Sequence, residues 1–150
     1  MLKTIPAELT PDLLKVLAEM GHGDEIALVD ANFTAASLGR GKPVLRLAGV
    51  DLRRAAQAVL TLLPLDEAVA QPVAYMRVGD RADDYVSALQ RDVIAHCETF
   101  AGLGWARCAS LERFAFYARV REAFAIVQTG ELEPFANFIF KKGVLAGLPS

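Results

Sequence analysis

The chain has 150 residues, of which 53% are hydrophobic and 23% charged, with a formal net charge of −2. That length suits one domain that buries a core without disulfide or metal staples. The slightly acidic balance excludes the basic field that nucleic-acid and anionic-membrane binders need. Apolar residues exceed what a monomer's surface usually exposes, so a subunit interface is expected to absorb part of them.

Met1 to Pro6 lacks the apolar stretch of a signal peptide. No apolar run approaches the ~20 residues that span a bilayer, so the expectation is a cytoplasmic protein with no membrane partner. Thr10-Pro11-Asp12 has the marks of a helix start: a hydroxyl N-cap, proline at the first position and an acid at the positive dipole end. Leu13, Leu14, Leu17 and Met20 form its apolar stripe, and Gly21 is expected to supply a left-handed residue at the end.

The apolar run from Glu25 to Val29 is a strand covered on both faces. Residues 31–43 read as a loop of small residues, and Val44 to Leu47 as the next strand. Asp51 caps a helix carrying Leu52, Ala55, Val59 and Leu63, stopped by Pro64. Val73 to Val78 is a third strand. A polar connection leads to a helix with Leu89, Val93 and Cys97 on one face, and a further strand is expected near Trp105. Phe116, Val120 and Phe124 place a helix over residues 113–124, followed by strands at residues 125–128 and 137–141. Strands alternating with helices predict a single-domain α/β fold over residues 1–150, with a mostly parallel sheet flanked by helices.

His22 lies between two glycines just before the first strand, and Asp30 lies where that strand ends. A histidine at that place can simply bond the last carbonyls of the helix. The glycines favour close approach by a ligand instead, and imidazole suits proton transfer near neutral pH. Asp30 can cap the following loop, accept hydrogen bonds from substrate hydroxyls or orient an imidazole. Asp24 and Glu25 are taken as structural. Arg113 and Tyr117, four apart, share one helix face and are either a solvated pair or a pair that binds a polyhydroxylated ligand. Cys97 and Cys108 lack metal spacing and read as small buried hydrophobes. His22 and His96 lie on different elements, which argues against a metal site. No Gly-rich phosphate loop or GxSxG elbow occurs, leaving cofactor-free proton chemistry on a small polar molecule.

Several words resemble a known family. The run from Leu14 to Ile26, containing Glu19-Met20-Gly21-His22-Gly23-Asp24-Glu25, is similar to the fucose mutarotase branch of the fucose mutarotase/ribose pyranase family. So are Arg113-Phe114-Ala115-Phe116-Tyr117, Thr129-Gly130-Glu131 and Lys141-Lys142-Gly143-Val144. Both ends of the chain match well and residues 33–105 only loosely. The resemblance implies an isomerase of carbohydrate metabolism that interconverts the α and β anomers of a free monosaccharide, L-fucose first, without a cofactor. It implies His22 as the general acid, Asp30 and Arg113 as substrate contacts, and Phe135-Ala136-Asn137 as the C-terminal substrate-binding tripeptide. It also implies a homo-oligomeric ring, typically a decamer, with the site near subunit boundaries.

Three positions depart from the pattern. Asn32 stands where fucose-type members carry histidine, Thr34 where they carry proline, and Phe135 where the tripeptide has tyrosine. If the tyrosine hydroxyl transfers a proton, this chain is impaired or substitutes a group such as Tyr117; if the tripeptide works through its backbone and the asparagine amide, little is lost. The competing expectations are a sugar-binding protein without turnover, a ribose pyranase-type isomerase, and a purely structural ring protein.

Overall fold

In the computed structural model, which describes residues 1–147, six strands form one sheet in the order β2-β5-β1-β6-β3-β4. The strands are β1 (Glu25–Val29), β2 (Val44–Leu47), β3 (Val73–Met76), β4 (Cys108–Leu111), β5 (Ala125–Thr129) and β6 (Phe138–Lys141). The helices are α1 (Pro11–Glu19), α2 (Ala35–Leu38), α3 (Leu52–Leu60), α4 (Ala88–Ala101) and α5 (Arg113–Glu122). β1, β2 and β5 run parallel, as do β3 and β4. β6 runs antiparallel between β1 and β3, joining the two parallel groups.

The period-2 alternation of these strands explains the three layers. Ile26, Leu28, Val73, Tyr75, Phe138 and Phe140 face one side and pack with residues of α1, α3 and α4. Ala27, Val29, Ala74, Met76, Ile126 and Ile139 face the other side and pack with α2 and α5. With both faces covered, the central strands carry no exposed polar alternation, as expected of such a layer.

The helix starts obey their local chemistry. The Thr10 hydroxyl accepts the Leu13 N–H at 3.2 Å, and the Asp51 carboxylate accepts the Arg54 N–H at 2.9 Å. Ser87 and Gln90 form a reciprocal capping box on α4. Two lysines serve the opposite ends. Lys42 Nζ donates to the carbonyls of Val120 and Arg121 at the end of α5. Lys142 Nζ donates to the carbonyls of Leu17 and Met20 at the end of α1, at 2.8 and 2.6 Å. An ammonium at a helix C-terminus satisfies otherwise unpaired carbonyls and complements the dipole.

Some expectations are corrected. Residues 31–43 are not all loop, since they include α2. Trp105–Arg107 is a 3₁₀ turn, and the strand expected there begins at Cys108. β3 stops at Met76 rather than Val78. Gly21 does not supply the left-handed residue, because its N–H is held by Asp24 Oδ2 at 2.7 Å in a turn closed over residues 21–24. The positive φ, +86°, falls at Gly23 instead. Cys97 and Cys108 are free and buried as expected, and burial pushes their thiols up to about 12 and about 11.

Candidate active site

The sequence-predicted residues fall into two groups at opposite ends of β1. His22 precedes the strand and Asp30 follows it, so five extended residues, roughly 16 Å of chain, lie between the two ends. Within one protomer the two side chains therefore serve separate places.

The Asp30 group lies where the carboxyl ends of β1 and β3 meet the start of β6. Because β6 runs against both neighbours, Leu28 and Tyr75 are each opposite Phe138. Asn137, one residue earlier, is therefore beside Asp30. The Asp30 N–H donates to Asn137 Oδ1 at 2.8 Å, and Asn137 Nδ2 donates back to Asp30 Oδ2 at 3.0 Å. The other carboxylate oxygen accepts the Asn32 N–H at 2.9 Å, so Asp30 also caps its loop. Gln128 holds that loop through the carbonyls of Ala31 and Phe33, at 3.0 and 3.1 Å. Burial pushes the Asp30 carboxyl above its ordinary value, with Glu131 adding to the rise and the bonds from Asn137, Asn32 and Phe33 opposing it.

A cleft of about 180 Å³ opens over this pair, and Arg113, Tyr117 and Phe135 line it together with Asp30, Asn32 and Asn137. Arg113 is the first residue of α5, after the N-cap Glu112, whose carboxylate accepts the Phe114 and Ala115 N–H groups. The Arg113 guanidinium lies 5.5 Å from the Tyr117 ring centre, and Tyr117 packs edge-on against Phe33 at 5.4 Å. The four-residue spacing thus does put both side chains at one pocket. Ala136 is buried and does not line the cleft. Phe135 has φ +62°, a left-handed conformation rare for a side-chain-bearing residue and worth ~1–3 kcal/mol of strain. Its carbonyl is held by the Asn137 N–H at 2.9 Å and by the fully buried Gln90 amide at 3.3 Å.

The His22 group is built from other parts of the chain. The imidazole is about half exposed, and its Nε2 lies 3.2 Å from Oδ2 of Asp66, whose side chain is 6% exposed. The second Asp66 oxygen accepts the Ala68 N–H at 3.1 Å. The last carbonyls of α1 are taken by Lys142, so His22 does not serve as their cap. A cavity of about 590 Å³ lies beside the pair, with Phe100, Val144 and Leu145 on its wall. Sequence reasoning missed Asp66. The only signal was an acid just after the helix-stopping Pro64, and nothing local ties that position to residue 22.

A larger hollow of about 650 Å³ lies between the N-terminal segment and α1, but no carboxylate or imidazole lines it. Asp24 and Glu25 prove structural: Asp24 closes its own turn, and Glu25 pairs with Arg119 at 2.8 Å and Lys141 at 3.3 Å. Among the described residues no group of three or more His, Cys, Asp or Glu could hold a metal ion, and no helix is long and apolar enough to cross a membrane.

Residues 3–145 match the RbsD / FucU transport protein family. The chain belongs to the RbsD/FucU family. Within it, the chain is 45% identical to the fucose mutarotase of Homo sapiens over 97% of this chain and 95% of that protein. It superposes with a TM-score of 0.87 on the crystal structure of the fucose mutarotase from Streptococcus pneumoniae in complex with L-fucose, at 39% identity, covering 97% of this chain and 100% of that one. Bacillus subtilis RbsD, complexed with D-ribose, shares the fold with a TM-score of 0.70 at 21% identity, covering 97% of this chain and 99% of that one. The matches run nearly end to end, so residues 33–105, although they carry few of the family's words, belong to the same family fold.

Proposed function

We infer that this chain is a monosaccharide mutarotase, an isomerase that exchanges the α and β anomers of a free sugar, with L-fucose as the first substrate to test. The observation that carries the reading is the half-exposed His22 imidazole with its Nε2 on the buried Asp66 carboxylate, an arrangement that suits proton transfer near neutral pH. Full-length likeness to fucose mutarotases supports the choice of reaction and sugar.

Mutarotation breaks the bond between the anomeric carbon and the ring oxygen, then closes it on the other face of the carbonyl. A proton must reach the ring oxygen while one leaves the anomeric hydroxyl. His22 delivers the first. Asp30 and Arg113 hold sugar hydroxyls, and Asn137 fixes the ring. Phe135 has no hydroxyl to take the second proton; the Asp30 carboxylate is the base of the cleft that accepts it, directly or with the Tyr117 hydroxyl passing its own proton on as it takes one up. A positioned acid or base contributes ~10²–10⁴-fold, enough for a reaction that already proceeds in water. No step calls for a cofactor.

Since His22 and Asp30 sit at opposite ends of β1, we assign the complete site to two protomers, one presenting His22–Asp66 to the other's Asp30 cleft. Exposed apolar side chains border both halves: Phe100, Val144 and Leu145 near His22, and Leu132 at the Asp30 cleft. Such rims suit burial between subunits. A closed homo-oligomeric ring, with a decamer as the size to test, repeats that contact at every boundary. Two free, buried thiols suit the reducing cytoplasm.

The test is saturation transfer by proton NMR between the anomeric signals of L-fucose, with D-ribose in parallel. Exchange on fucose is expected, and binding without exchange would favour the sugar-binding alternative. Mixing His22→Ala with Asp30→Asn protomers tests the shared site. Random reassembly restores about a quarter of the sites if each needs one intact residue from each protomer, and none if one protomer supplies both.

A further inference from the structure

The word Lys141-Lys142-Gly143 has no part in the sugar cleft, yet it touches both sides of the His22–Asp66 pair. Lys142 Nζ donates to the carbonyls of Leu17 and Met20, the last turn of the chain before His22. Its backbone N–H donates to the Asp24 carbonyl, and its own carbonyl accepts the Gly23 N–H, both at 2.8 Å. Four hydrogen bonds from one residue therefore bracket the turn that carries His22.

The same segment grips the chain around Asp66. The Asp66 N–H donates to the Lys141 carbonyl at 3.0 Å, Lys142 bridges Leu65, and the Gly143 N–H donates to the Pro64 carbonyl at 2.8 Å. A side chain at position 143 would put its Cβ 2.6 Å from the Leu65 carbonyl oxygen and 2.8 Å from the Asp66 Cα. Glycine is needed there for close approach, since its φ is not in the left-handed range. His22 and Asp66 lie 44 residues apart and contact through one bond at 3.2 Å.

We propose that Lys142 is a positioning residue for the proton donor, fixing His22 against Asp66 by tying the end of α1 and the 21–24 turn to the end of β6, with Gly143 setting the Asp66 side. The inference rests on the reading of His22 as proton donor. A displacement of ~1 Å in a catalytic group can cost ~100-fold in rate, so a loose turn would be felt in turnover before it is felt in sugar binding.

Lys42 supplies the control. It caps α5 with the same chemistry, an ammonium on the last carbonyls, but lies outside both half-sites. The experiment compares Lys142→Met, Lys142→Arg, Gly143→Ala, Lys42→Met and His22→Ala in the full chain. Three quantities are read: His22 ring signals in long-range ¹H–¹⁵N spectra with His96 as internal reference, L-fucose anomer exchange, and Tm. Lys142→Met is expected to move the His22 ring signals and lower exchange by about 10- to 100-fold at an unchanged KM. Lys142→Arg restores much of both, and Lys42→Met lowers Tm alone. Gly143→Ala should move the same ring signals from the Asp66 side, and decides the matter if Lys142→Met does not fold. The proposal is overturned by wild-type ring signals in Lys142→Met and Gly143→Ala, by an equal displacement in Lys42→Met, or by undiminished exchange in Lys142→Met beside an inactive His22→Ala. Full exchange in His22→Ala would instead remove the proton-donor assignment, while the ring signals still decide what holds His22.

Discussion

At one end of β6, Asn137 is almost wholly buried and exchanges two hydrogen bonds with a buried carboxylate, Asp30. At the other end, the chain running into Lys142 and Gly143 holds an imidazole that is half in solvent, with only its carboxylate partner buried. The first group is a buried floor with its polar atoms paired, and on the proposed reading it holds sugar hydroxyls in one place. The second is an imidazole displayed on the surface, its turn tied down by backbone bonds, and on the proposed reading it serves a neighbouring protomer. Binding needs low exposure and satisfied polar groups, whereas a proton donor completed by another protomer must be presented outward before assembly. One antiparallel strand reaches both because the residues just before and just after it lie at opposite ends of the neighbouring strand β1.

The contrast can be broken most severely at His22. His22→Ala is expected to lower anomer exchange by ~10²–10⁴-fold while sugar affinity stays within about twofold, a split readable by saturation transfer alongside titration calorimetry. A matching loss of affinity would mean that both ends bind. Next comes Asn137→Ala, which leaves the Asp30 N–H and one carboxylate oxygen without their partner. Leaving buried groups unsatisfied costs ~1–3 kcal/mol, so a fall of several degrees in Tm and a weaker sugar complex are expected together, measured by calorimetry.

A smaller effect sharpens the same comparison through pH. Burial raises the Asp30 carboxyl above 3.8 in the fold, so the folded state keeps a proton that the unfolded chain has already released. Its contribution to stability is fully present below 3.8 and is lost as pH rises through the raised folded value. Asp30→Asn removes that slope, and thermal melts of both proteins from pH 3 upward would display it. The smallest change is expected from Phe135→Tyr, about threefold or less in exchange rate. The Phe135 ring tip lies only 3.1 Å from where a Cβ on Gly79 would be, so the added hydroxyl is placed against Gly79. A gain of the full ~10²-fold of an acid-base group would instead mark position 135 as a proton carrier.

Much of the candidate site was legible because its parts obey local rules. His22 was marked by its glycine neighbours, Asp30 by its place at a strand end, and Arg113 with Tyr117 by helical spacing. Residues whose roles depend on distant partners left no such mark. Asp66 reads as a turn acid after Pro64, Gln90 as the third residue of a capped helix, and Gln128 as a strand end. Only folding shows the first against His22, the second on the Phe135 carbonyl and the third holding the loop after Asp30. The left-handed backbone at Phe135 was equally silent, since nothing in a phenylalanine announces a positive φ.

By itself the sequence determined most of the elements, though not α2 or the turn at Trp105: helices through hydroxyl and carboxylate caps and 3.6-residue stripes, and strands through apolar runs that must be covered on both faces. Tertiary structure alone decided that β6 enters the sheet antiparallel between β1 and β3. That direction sets Asn137 on Asp30, brings Lys142 to the turn of His22, and leaves the Asp30 and His22 groups a strand's length apart. The physical reason is that side chains alternate with a period of two whichever way a strand runs. The pattern fixes which faces are buried, and only the packed neighbours fix the direction.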